Sequence, residues 1–157
     1  MTNALKIARV VPRSRNIEAA LLLFALGINA FELAQIQLSV LKVLREDFWS
    51  YWAPVAVSAV VVHMILRRRA READSLLLPM AVLLNGLGIS MIYRLDLAKI
   101  AAGGTDLFAA KQVIWTVVAM AAAAAVVLYI PNHLFLRKYV YVSGALGLVF
   151  LLLPMLP

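Results

Sequence analysis

The chain has 157 residues, 64% of them hydrophobic, a mean hydropathy of +0.92 and a formal net charge of +7. A soluble domain is nearer half apolar, and a soluble fold this small cannot hide so much apolar surface, so composition places the chain in a lipid bilayer. With no cysteine, disulfides, thiolate metal sites and cysteine nucleophiles are excluded; the two histidines, His63 and His133, lie at the ends of different segments, and no metal site or cofactor is identifiable.

Five long apolar stretches fill most of the sequence. A helix rises about 1.5 Å per residue, so a run of about 18 apolar residues crosses the roughly 30 Å of hydrocarbon. The first expected span runs from about Ile17 to Leu41 and is the most polar, with Glu18, Asn29, Glu32, Gln35 and Gln37. The second runs from Phe48 to Leu66 and opens with Trp49, Tyr51 and Trp52, rings suited to a membrane interface. Pro54 and Pro79 are expected in or near the first turn of their helices, where proline is tolerated. The third span covers Ser75 to Tyr93, and Gly103-Gly104 marks a flexible point after it. The fourth, Gln112 to Ile130, is alanine-rich and stops before Pro131; the fifth runs from Tyr139 to Pro157.

The basic residues cluster beside these runs, so membrane topology explains them better than nucleic acid does. Residues 1–16, 67–74 and 131–138 form one side and hold ten basic residues, among them the cluster Arg67, Arg68, Arg69 and Arg71. The opposite side holds five: Lys42, Arg45, Arg94, Lys99 and Lys111. The positive-inside rule then puts the N-terminus in the cytoplasm, and five crossings put the C-terminus outside. The expected fold is an all-α, polytopic helical membrane protein. Its parts are a basic tail (1–16), two helices (17–66), a basic loop (67–74) and three further helices (75–157).

Among residues able to carry chemistry, Glu32 stands out, because a charge at bilayer depth costs about 2.5–3.5 kcal/mol on insertion scales. Asn29 and Gln35 lie at i−3 and i+3 from it, so the three share a helix face. That face is either a polar seam lining a cavity or meeting a partner helix, or a carboxylate neutralised within the bundle. Asn85, Gly86 and Gly88, and likewise Gly144 and Gly147, are small or amide-bearing positions that let helices approach closely. Tyr93-Arg94-Leu95-Asp96 reads as a helix end, and Lys111-Gln112 with Trp115 as an interface anchor. No phosphate loop, nucleophile elbow or catalytic triad can be assembled.

The ordered string from Ala73 to Asp96, Ala-Asp-Ser-Leu-Leu-Leu-Pro and then Leu-Leu-Asn-Gly-Leu-Gly-Ile-Ser-Met-Ile-Tyr-Arg-Leu-Asp, resembles the first core helix of the FtsW/RodA/SpoVE (SEDS) family. Lys111-Gln112-Val-Ile-Trp115 is similar to the opening of that family's next core helix, and Leu136-Arg137-Lys138-Tyr139 with its apolar continuation to the third. Arg13 to Glu18 and the two helices before the core look like the N-terminal extension of actinobacterial members. The resemblance implies a plasma-membrane peptidoglycan glycosyltransferase that polymerises lipid II with a class B penicillin-binding protein, in cell elongation, division or sporulation. It also implies that Arg94 and Lys111 face outer head groups, where they would contact the substrate pyrophosphate. The family's arginine-x-tryptophan segment and its large extracellular loop have no counterpart here, so no catalytic residue transfers, and the sequence reads as an N-terminal fragment without catalysis of its own. Two other functions stay open from the residues alone: a non-catalytic membrane protein that binds partner helices, and a small transporter subunit centred on Glu32.

Overall fold

The structure is a computed structural model that describes residues 11–70, 73–105, 107–129, 141, 142, 144, 145 and 148. Four long helices run in order: α1 (Val11–Val40), α2 (Asp47–Arg69), α3 (Leu77–Ala101) and α4 (Phe108–Tyr129). All four are long and apolar enough to cross a membrane, α1 over Asn16–Val40. The described residues contain no strand. The expected fifth span and the 131–138 loop lie largely outside the described residues, although 141, 142, 144, 145 and 148 are helical.

Helix α1 packs mainly on α3, and α2 on α4, while α3 also meets α4 and α1 meets α2. Neighbours in space therefore alternate in sequence. Asn29 of α1 reaches Val82 of α3, and Gln37, further along, reaches Tyr93, so these two helices run parallel. Short connections demand this arrangement, because each crossing reverses the chain. Two core clusters result. Leu33, Ile36, Phe48, Tyr51, Val55, Ile89, Tyr93, Leu97, Ala109 and Val113 fill the end near the 41–46 and 102–107 connections. Leu22, Leu26, Ala56, Ala59, Val62, Leu78, Val82 and Ala124 fill the other.

The buried face of α1 is a stripe at i+3 and i+4 spacing: Glu18, Leu22, Ala25, Leu26, Asn29, Leu33, Ile36 and Gln37. Asn29 is its centre. Its Nδ2 donates to the Val82 carbonyl at 3.0 Å, and its amide lies over Gly86, where any Cβ would overlap it. Glycine at 86 is thus a requirement of close helix approach, whereas Gly27 and Gly88 face open space.

Gln37, fully buried, ties three elements together. Its Nε2 donates to Asp47 Oδ1 (3.2 Å) and to the Tyr93 hydroxyl (3.1 Å), and its Oε1 accepts the Arg45 backbone N–H (3.1 Å). The α1–α2 connection is pinned by these bonds, which hold Lys42 in the left-handed region at φ 60°. Tyr51 and Tyr93 add a ring contact at 4.8 Å. Of the three rings that open α2, only Trp49 is exposed; Tyr51 is buried, and Trp52 donates to the Leu26 carbonyl at 3.1 Å.

Three sequence expectations change. Pro54 stands inside α2, about two turns from its start, because the helix begins at Asp47. Proline there leaves the Ser50 carbonyl without its helical N–H, and both residues line a cavity of about 470 Å³ between α2 and α4. Helix α3 continues past Tyr93 to Ala101, since Arg94 turns outward while Asp96 turns in. Gly103-Gly104 is an ordered helix stop. Gly103, at φ 87°, lets its N–H reach the Ile100 carbonyl (3.0 Å) and the Gly104 N–H reach Lys99 (2.9 Å), the pairing of a Schellman motif.

Two outcomes follow from this packing. Gly86→Ala should destabilise the bundle by about 1–3 kcal/mol through overpacking, with Gly88→Ala near neutral. Unfolding in mixed micelles should show Asn29→Ala relieving most of the Gly86→Ala penalty in the double variant; additive losses would break the proposed contact. Gln37→Leu strands the Arg45 backbone N–H and leaves the Tyr93 hydroxyl only its 3.4 Å bond to Asp47, and should cost about 1–3 kcal/mol, against about 0.5–1.5 kcal/mol for Tyr93→Phe. The same unfolding measurement checks the order of these two losses.

Candidate functional site

The most chemically distinct concavity lies between the end of α3 and the start of α4. Asp96 positions it. This carboxylate is 2% exposed and accepts the Ala109 backbone N–H at 2.7 Å. The bond satisfies one of the free N–H groups at the start of α4 and ties that helix end to α3. Sequence alone leaves two readings of Asp96, a residue that orders the following loop or meets a head group and an ordinary solvated helix end. Its spacing from buried Ile89 and Tyr93 on one face of α3 is the signal that would have placed it inside.

Beside Asp96 the two helices enclose a groove of about 480 Å³ lined by Ile92, Leu95, Asp96, Lys99, Phe108, Lys111, Gln112 and Trp115. The Lys99 ammonium sits 4.2 Å from the Phe108 ring centroid and the Lys111 ammonium 5.4 Å from it. One aromatic ring thus lies within cation–π range of two cations from two helices. Helix geometry explains the convergence: the Schellman turn folds the chain back, so the last turn of α3 stands beside the first turn of α4. Deeper in the membrane the same pair is bridged where the Thr116 hydroxyl lies 3.0 Å from Asn85 Oδ1 and 2.9 Å from the Gln112 carbonyl.

The sequence-selected residues distribute unevenly around this groove. Lys111 lines it, but Arg94 is exposed and does not. Its partner at the groove is Lys99, one turn beyond Leu95 on the same face, which sequence reading counted only for topology. Asn85 and Gly86 face different neighbours, α4 and α1 respectively. Gly88 is exposed, Gly144 is exposed with open space where a Cβ would stand, and Gly147 lies outside the described residues. Arg67, Arg68 and Arg69 form the exposed last turn of α2, and Arg71 lies outside the described residues.

The polar face of α1 does not gather in one cavity. Asn29 is buried against α3, Glu32 is half-buried with Oε2 lacking a hydrogen-bond partner among the described residues, and Gln35 is exposed. The buried ridge runs through Glu18 and Gln37 instead. At its far end Glu18 Oε1 lies 3.0 Å from His63 Nδ1 of α2, both side chains being enclosed. This contact pins the start of α1 to the end of α2.

No family model matches the chain, and no solved structure does. Curated relatives do match. Over 147 residues, 93% of this chain and 31% of the relative, it is 40% identical to the peptidoglycan glycosyltransferase RodA of Mycobacterium tuberculosis and to that of Mycobacterium bovis. Over 152 residues, covering 92% of this chain and 31% of the relative, it is 39% identical to RodA of Mycobacterium leprae. The chain spans about a third of the length of these relatives. Across the stretch it spans, the chain is similar to the RodA peptidoglycan glycosyltransferases of mycobacteria, the likeness its sequence motifs implied.

Proposed function

We propose that this chain supplies a membrane-embedded wall of a peptidoglycan glycosyltransferase that polymerises lipid II in the plasma membrane. The observation that carries the reading is the 40% identity to mycobacterial RodA over 93% of the chain. The groove between α3 and α4 supports it, because a lipid-linked sugar donor presents an apolar tail and an anionic head, and this groove sets apolar walls beside two cations.

In this reading the basic tail, residues 1–16, and the basic loop, residues 67–74, lie in the cytoplasm, as the bias of positive charge favours. The 41–46 and 102–107 connections then face outward, which puts the groove mouth at the outer leaflet. Helices α1 and α2 act as an extension that braces the first core helices, α3 and α4, from behind. A class B penicillin-binding protein is the proposed partner in the assembled enzyme, on the strength of the family resemblance.

A chimera tests this. In it the 157 residues replace the corresponding stretch of Mycobacterium tuberculosis RodA, and membranes carrying it are supplied with fluorescent lipid II. Polymerisation within about tenfold of the unmodified relative is expected, a barrier change of about 1.4 kcal/mol. A chimera that inserts and resists unfolding yet makes no glycan chains would overturn the assignment.

A further inference from the structure

We propose that the junction of α1, α2 and α3 binds one water molecule in the membrane interior, held between Asn29 Oδ1 and the Ser90 hydroxyl. The inference needs only the packing of these helices, so it stands or falls apart from the polymerase reading.

Asn29 lies midway along the membrane-spanning part of α1 and is 5% exposed. Only half of its amide meets a partner among the described residues: Nδ2 donates to the Val82 carbonyl at 3.0 Å, while Oδ1 accepts nothing. The amide cannot be flipped to repair this, because its oxygen would then face the Val82 oxygen. Hydrocarbon supplies no donor, and buried polar atoms are rarely left unpaired. The same side chain lines a cavity of about 20 Å³ where the three helices meet. One water needs about 10–15 Å³, so the space suits a single molecule and is too small for a lipid chain or a sugar. Ser90 lines the cavity as well, is 2% exposed, and stands one turn beyond Gly86 on α3. Its hydroxyl both donates and accepts, so a water there can donate to Asn29 Oδ1 and pair with Ser90 at the same time. Dry cavities have apolar walls throughout, whereas this one carries two polar side chains. A metal cation fits the site less well. It asks for about six oxygens, and Leu33, Val55 and Ile89 supply none; no described lining residue is charged to balance it.

The test uses the 157-residue chain in deuterated micelles, with only glycine and serine protonated. NMR cross-relaxation from water is read at the Gly86 Hα and Ser90 Hβ protons, none of which exchanges with solvent. A contact of the sign given by direct dipolar approach should appear at both residues. Ser90→Ala should weaken the Gly86 contact about threefold and shift the unfolding equilibrium about fivefold towards the unfolded state. With Asn29 already replaced by alanine, the same Ser90→Ala change should leave that equilibrium nearly unaltered, because the bridge has lost its other end. Exchanging sodium for choline in the buffer should move neither signal. Absence of a water contact at both residues in the unaltered chain would overturn the site. So would equal losses from Ser90→Ala with and without Asn29, or signals that follow sodium, which would make the occupant a cation.

Discussion

Hydrocarbon gives apolar helices no reason to prefer one another over lipid, so polar side chains and close backbone approach must hold this bundle together. Among the described residues, the contacts of α1 with α3, α1 with α2 and α3 with α4 each carry such a bond, while α2 and α4 pack through apolar side chains. Asn29 joins α1 to α3, Trp52 joins α2 to α1, Asp96 and Thr116 join α3 to α4, and Glu18 with His63 closes the far end of α1 against α2. Each bond is modest, about 0.6 kcal/mol on average in membrane helices. Their collective effect is directional, because each one fixes a rotation about a helix axis. Asn29 over Gly86 is the sharpest case, since the amide fits only where α3 has no side chain.

The number and placement of the four described helices were legible in hydropathy, because only helices satisfy their backbone in lipid. Helix ends were less so. Hydropathy drops at Arg94 and Asp96, yet α3 continues, because a helix ends where its hydrogen bonds end and not where its side chains turn polar. The true stop is the Gly103-Gly104 turn. Rotation was harder still. Spacing of three residues grouped Asn29 with Glu32 and Gln35, but a stripe averaging 3.6 residues per turn drifts across a long helix. Followed from Glu18 through Leu22 and Asn29, it selects Gln37 and leaves Gln35 outside. The pairing of Lys99 with Lys111 was not legible, because it depends on how the turn between helices brings their ends together.

The parallel pairing of α1 with α3 and of α2 with α4 has a mechanical consequence. The helices that enclose the groove, α3 and α4, are each backed by one of the first two helices. Gln37 binds the α1–α2 connection to Tyr93, and Tyr93 lies one turn before Leu97 and just before Asp96 on α3. The wall that presents Lys99 is therefore braced through a continuous chain of contacts from the 41–46 connection.

The contrast between α4 and its neighbours completes the argument. Only 11% of its most apolar stretch is buried, against 39% for α3. Its buried residues, Ala109, Val113, Thr116 and Ala124, form a single narrow edge, and Ile114, Val118 and Trp115 are exposed along the grooves that α4 makes with α2 and with α3. Among the described residues the enclosed side of the groove is thus α3, packed by α1 and α4, and the less covered side is α4. Burial and helix order therefore agree on one asymmetry: among the described residues the groove has a wall on α3 that is packed from two sides and a wall on α4 that is largely uncovered.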